Sequence, residues 1–181
     1  MGHAPLHKTH KIMPKPPIII NSFFAQLYLD LQERIKAAVP EIQWIEQDFG
    51  QDTYDKWRPN VAFPAVLIDF PSANYESIGG GGQWADIELK LRLMVAPFEQ
   101  SFEDAPIEVR KGALEFFELE HKLTHAIHGW APIAPSPQGE GAGGEVYVQP
   151  FIRTRIISNN RNDIGLRIRE LHFTTSYQEY E

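Results

Sequence analysis

Hydrophobic and polar positions alternate most clearly between residues 84 and 95. Isoleucine, leucine and valine occupy every second position from 87 to 95, and charged side chains such as Glu88 and Arg92 lie between them. A period of two over this length is typical of a long, half-exposed strand. The nearly continuous apolar run at 63–70 predicts a second strand, buried on both faces.

Two other segments have the apolar spacing of amphipathic helices. The first, 22–39, repeats large apolar side chains every three or four residues and ends at Pro40. The second, 104–129, has the same spacing and ends at Gly129, a residue that favours helix termination. We therefore expect two helices, each with one apolar stripe directed at the core.

A short strand is predicted at 42–49, and two further strands at 145–158 and 163–178 are expected to join as a hairpin. In the last strand the apolar positions change phase, which predicts a bulge or bend near Arg169–Glu170. The glycine-rich segment 71–82 is expected to be a turn-rich connection with a mobile hairpin tip.

The irregular order of helices and strands predicts an α+β fold. We expect a mixed, mainly antiparallel sheet of about five strands with two helices packed on one face. Residues 1–20 include four prolines and are expected to form an extended arm. Residues 21–181 would then be a single domain, and the arm would pack on a neighbouring protein.

Composition narrows the classes of function. The chain has 181 residues, a net charge of −7 and no cysteine. Residues 1–17 contain three lysines and no acid, so the acidic excess lies in the body of the protein. Such a body does not suit a protein that coats DNA, although it suits a surface that DNA passes without sticking. No apolar run approaches the ~20 residues of a membrane helix, and no signal peptide is recognisable, so we expect assembly in a cytoplasm.

The stretch HKLTHAIHGW places His121, His125 and His128 on one face of the second helix. Metalloproteases bind zinc through HExxH, where the glutamate is the general base. Here Lys122 occupies that position, and its positive charge would oppose both metal binding and the role of general base. A solvated helix face is therefore predicted, with a small metal-dependent hydrolase using His121, His125 and Glu118 as the alternative.

No other motif predicts an enzyme. The glycine-rich segments lead into strands rather than helices and lack a phosphate-binding lysine pattern. There is no GxSxG motif and no cysteine nucleophile. We accordingly predict no catalytic residue, no cofactor and no metal.

The C-terminal hairpin and the long strand carry opposite charges at alternating positions. If the hairpin strands pair, its four arginines could share one face away from the core, where they would need acidic partners. The interpretation we favour is a subunit interface, and a solvated face is the alternative. The candidate interface residues are Arg153, Arg155, Arg167, Arg169, Asp86 and Glu88.

The order and spacing of these segments resemble those of bacteriophage tail terminator, or tail completion, proteins. The resemblance begins with FFAQLYLDLQERIKAAVPEIQWIEQDFGQ, continues through FPAVLIDF and the long strand, and ends with the second helix and the hairpin. It covers about residues 22–177, and Pro64–Phe70 is its most telling piece.

This resemblance implies a virion structural protein without enzymatic activity, located in the tail or neck. Its subunits would form a homo-oligomeric ring, usually a hexamer, that caps the tail tube and stops its growth. The partners would be the tail tube protein and the head–tail connector, with genome DNA crossing the channel without specific binding and no membrane. Another neck, connector or tube ring protein is an alternative, as is a component of a contractile injection system. A competing role for the hairpin arginines in such a ring is to line the channel and touch DNA.

Overall fold

The computed structural model describes residues 22–53, 59–96, 101–132 and 148–180. The arm predicted at 1–20 lies outside these residues. The elements in chain order are α1 (Phe23–Ala38), β1 (Trp44–Gln47), β2 (Ala65–Gly79), β3 (Gly82–Val95), α2 (Ile107–Ile127), β4 (Ile152–Ser158) and β5 (Arg167–Tyr180).

The strands of the described part of the chain form one mixed sheet in the order β1-β2-β3-β5-β4, which confirms the predicted α+β class. β1 runs parallel to β2, and the other neighbouring pairs are antiparallel. Leu31 of α1 and Leu123 of α2 pack in the same apolar cluster as Leu91 of β3. Both helices therefore cover one face of the sheet, as predicted.

Local chemistry explains where the helices begin and end. The Ser22 hydroxyl accepts a hydrogen bond from the Ala25 amide at 3.3 Å and caps α1. α2 follows Pro106, whose fixed φ suits a helix start, and ends before Gly129, which has a φ of 79°. The second helix is thus close to its predicted extent.

The last strand buries apolar side chains on both of its faces. Leu171 faces the helices, whereas Ile168 packs with Met94 in a second apolar cluster on the opposite face. The pairing of β3 with β5 continues without a register shift from Arg167 to Tyr180. The bulge predicted at Arg169–Glu170 is therefore wrong, because the change of apolar phase reflects burial on two faces.

The C-terminal part of β3 is also buried on both faces. Positions 91–94 are all buried, so the prediction of a half-exposed strand is wrong for this part of β3. Strand β4 is shorter than the predicted 145–158: Val148 forms only an isolated bridge to Tyr177, and 145–147 lie outside the described residues.

The glycine-rich segment is mostly strand rather than a loose connection. β2 continues to Gly79 and pairs with β3 from Gly82 onward, so the predicted turn over 71–82 is wrong except at its tip. At that tip Gly80 and Gly81 have φ values of 62° and 80°, a left-handed backbone that favours glycine. The second half of β2 is largely exposed, so its sequence lacks the alternating apolar positions by which a strand is recognised.

The second half of β2, the first half of β3 and the end of β5 form a three-stranded ribbon. This ribbon extends beyond the short edge strands β1 and β4. We call residues 71–79, 82–88 and 174–180 the ribbon. No helix in the described ranges has the length and apolar content needed to cross a membrane.

Candidate assembly surfaces

The structure does not place the four hairpin arginines on one exposed face. Arg169 donates to a carboxylate oxygen of Glu120 in α2 at 2.6 Å. Arg167 and Arg153 are also on the side of α2, whereas Arg155 is on the opposite face. The predicted common face is therefore wrong for this set, and three of the four arginines lie against a helix.

Two features explain the error. A register shift in the pairing of β4 with β5 between Arg153 and Arg155 inserts Thr154 and breaks the alternation along β4. In addition, the face opposite Ile168, which the sequence suggested to be free, is the one that the helices cover. Arg167 and Arg169 do share one face, as their alternation predicts, but that face packs against α2 instead of lying free.

The predicted acidic partners already have contacts within their own chain. Asp86 accepts hydrogen bonds from the Trp84 indole at 3.1 Å and from the Ser176 hydroxyl. Glu88 lies 2.8 Å from Nδ1 of His172 and 3.7 Å from a guanidinium nitrogen of Arg155. The Glu88–Arg155 pair is thus formed inside one subunit, and its arginine side chain is 59% exposed.

The hydrogen bond with His172 holds the pKa of Glu88 below its ordinary value, against the opposing effect of burial. Because its pKa is lowered in the folded chain, Glu88 contributes stability that is complete above about pH 5 and lost as the pH falls through the folded pKa. We expect the Glu88→Gln variant to melt below the unmodified chain at neutral pH, with a difference that shrinks toward about pH 3. Thermal melts across this range measure it, and a difference that is constant with pH would contradict it.

The face opposite the helices holds a buried ionic network that the sequence did not predict. Arg92 is 5% exposed and donates to both carboxylate oxygens of Asp52 at 2.6 Å each. Its guanidinium also lies 3.5 Å from Asp48 and 3.2 Å from Glu170. These bonds fasten the loop that follows β1 to the sheet.

The two edges of the sheet differ in charge. We call residues 41–53 together with Glu33 of α1 the acidic edge; residues 41–53 contain four acids and no lysine or arginine. We call residues 152–169 the basic edge; they contain five arginines and one aspartate. The register places Ile45 and Ser158 at opposite ends of one row across the five strands, so the two edges lie at the same height.

Some of the charge at the acidic edge is neutralised internally, and some is not. Asp48 and Asp52 meet Arg92, whereas among the described residues Glu46 accepts hydrogen bonds only from the neutral side chains of Trp44 and Gln51. At the basic edge, Arg153 approaches the Thr124 hydroxyl at 3.5 Å, and Arg167 lies 5.5 Å from the centroid of the Phe116 ring. Within the described ranges, neither arginine forms an ion pair.

Both edges also expose large apolar side chains. Phe49 is 62% exposed and Trp44 39% at the acidic edge, and Ile152 is 51% exposed at the basic edge. Apolar side chains beside unpaired charges are typical of surfaces that bind another protein. A groove of about 370 Å³ lies between α1 and β1. It is lined by Gln32, Glu33, Lys36, Ile42, Gln43 and Ile45.

The three histidines lie on the exposed side of α2, as predicted. The rings of His121 and His125 are 4.3 Å apart, and Nδ1 of His128 accepts a hydrogen bond from the Arg153 amide at 3.1 Å. Lys122 forms an ion pair with Glu41. Among the described residues no group of three potential ligands converges on a metal position, and the absence of a metal stays a prediction.

Comparisons with known proteins give little further information. The sequence matches no family profile and no curated protein sequence. One solved structure with similarity to this chain is titled "Virion of native gene transfer agent (GTA) particle". The matched chain is 10% identical, with a TM-score of 0.48, over 87% of this chain and 100% of the other. At this level the similarity carries no argument about fold or function.

Proposed function

We propose that this chain is a structural virion protein that forms a homo-oligomeric ring, caps the tail tube and presents the docking surface for the head connector. The observation that carries the proposal is the pair of unlike edges on one sheet. The resemblance in element order to tail terminator proteins supplies the kind of ring and its place in the particle.

Unlike edges favour a head-to-tail contact between copies. The basic edge of one copy meets the acidic edge of the next, so that Arg153 and Arg167 approach Glu33 and Glu46 across the interface. A contact between two different surfaces repeats from copy to copy and closes into a ring when the rotation between subunits permits it. Arg155 contributes to the rim of the same contact, and Arg169 supports it by bracing α2 against β5.

The alternative within the same class is another ring of the neck, connector or tail tube. The same two edges would serve such a ring, and the difference lies in what its two open ends bind. A metal hydrolase is a weaker alternative because the His121 and His125 side chains stand on an open helix surface rather than in a cleft.

Mass and tube length together test the proposal. We expect the purified chain, alone or with tail tubes, to form a species of about six times its 20.7 kDa mass. We also expect tubes assembled without it to grow past their normal length and tubes assembled with it to stop. A chain that stays monomeric in both conditions would exclude the proposal, and a ring without effect on tube length would favour the alternative ring proteins.

A further inference from the structure

The outer edge of the ribbon has no partner strand within the described part of the chain. β1 pairs with β2 only as far as Ile68, where the Asp48 amide donates the last hydrogen bond at 2.9 Å. Beyond this point the outer backbone groups of β2, from Pro71 to Gly79, face away from β3. Unpaired groups of this kind bind an additional strand readily.

The usual protections against strand addition are confined to the ends of this edge: Pro71 and the register shifts at Asp69/Ser72 and Ser77/Gly79 interrupt it, whereas Ser72–Ser77 pairs regularly with β3. Natural edge strands often carry lysine, bulges or coverage by a loop. The segment from Ser72 to Gly79 has no lysine, and six of its residues in succession, 74–79, are exposed. Tyr75 and Ile78 are each 46% exposed, so a docking strand would also cover apolar surface.

The ribbon has a single sign of charge. It contains four acids and no lysine or arginine, and Glu76 is exposed at the outer strand. A basic strand is therefore the natural occupant, because it would pair with the backbone edge and offset the acidic side chains.

This chain carries such a segment. Residues 6–13, LHKTHKIM, lie between Pro5 and Pro14, include Lys8 and Lys11, and contain no acid and no proline. Every residue in this segment has a backbone amide that could donate to a neighbouring strand.

The length of the spacer between residues 6–13 and the described structure favours binding to a neighbouring copy over binding to the same chain. Eight residues separate Met13 from Ser22, where the described structure begins, and Pro14, Pro16 and Pro17 among them favour an extended chain. An extended spacer of this length reaches about 25–30 Å. Phe23 already stacks on Tyr177 of the ribbon with ring centroids 3.9 Å apart, so the ribbon of the same chain lies much closer than that.

We infer that residues 6–13 of one copy add as a strand to the outer edge of β2, from Pro71 to Gly79, in a neighbouring copy. This inference rests on the self-assembly in the proposed function. It assigns the arm a specific binding site and makes each copy both donor and acceptor of a strand.

The absence of native cysteine permits a clean cross-linking test in the full-length chain. One preparation carries Thr9→Cys and an affinity tag, and a second carries Ser77→Cys without a tag. After mixing and brief treatment with a short bis-maleimide, we expect a cross-linked heterodimer. The matched control replaces Ser77→Cys with Ser101→Cys, an exposed serine before α2 that belongs neither to the ribbon nor to either edge, and should give at least about fivefold less product.

The outcomes separate this inference from the proposed function. A yield equal to that of the Ser101→Cys control, or a Thr9→Cys/Ser77→Cys double variant that cross-links only within one chain, would overturn the inference. Ring mass is measured on the same samples: rings without the Ser77 product contradict the inference alone, and monomers contradict both. Adding Glu76→Lys to the acceptor should reduce the yield severalfold, and an unchanged yield would overturn the assigned site.

Discussion

Replacing Arg92 with methionine is expected to lower the free energy of unfolding by ~3–5 kcal/mol. Arg92 and Asp52 are 5% and 2% exposed, and two hydrogen bonds of 2.6 Å join them. The variant would leave the Asp52 carboxylate buried without its cation, with Asp48 and Glu170 close by. Urea unfolding followed by circular dichroism measures the change.

Two further variants identify the cause. Adding Asp52→Leu to Arg92→Met should recover part of the loss, because the uncompensated buried charge is removed together with its partner. Lys111→Met, which breaks an exposed pair with Glu108, should change stability by less than ~1 kcal/mol. A loss below 1 kcal/mol for Arg92→Met would show that the network is not structurally important.

Charge reversal at one edge of the sheet is expected to prevent assembly, and mixing two such variants is expected to restore it. One variant carries Glu33→Lys with Glu46→Lys, and the other carries Arg153→Glu with Arg167→Glu. Each variant alone would bring like charges together at every contact, with a cost of ~2–5 kcal/mol per interface, or roughly 30-fold or more in dissociation constant. In an equimolar mixture every contact again joins opposite charges.

Rescue by mixing is specific for a head-to-tail contact, because both altered surfaces must meet. Light scattering or native mass spectrometry distinguishes monomers from rings, and thermal melts establish that each variant is folded. A swapped pair at Glu108→Lys and Lys111→Glu, both highly exposed in α2, is the matched control and should assemble normally. Assembly of either edge variant alone would exclude the proposed contact.

The candidate surfaces were only partly predictable from the sequence. The concentration of arginine after residue 152 is evident in the sequence and by itself predicts an interface there. The partners were not visible, because Asp86 and Glu88 are held by Trp84, Ser176 and His172 of the same chain. Pairing between strands far apart in sequence decides such contacts.

The ionic network shows the same difficulty in a stronger form. Alternation correctly places Arg92 on the face of β3 opposite Leu91 and Leu93, and that face was expected to meet solvent. The loop after β1 instead folds across it and buries the guanidinium against Asp52. The spacing of Asp48 and Asp52 in the sequence does not predict this contact with Arg92.

The sequence by itself determined the helices, the long alternating strand and the α+β class, because these depend on periodicity and capping within a few residues of one another. The tertiary structure decided which faces are buried, and it decided this through the register between strands. Ile168 and Leu171 lie three residues apart and enter different apolar clusters. The alternation of a strand can be read from its own sequence, but its neighbours in the fold determine whether one face or both are covered. They therefore also determine whether a charged side chain such as Arg92 faces water or an aspartate.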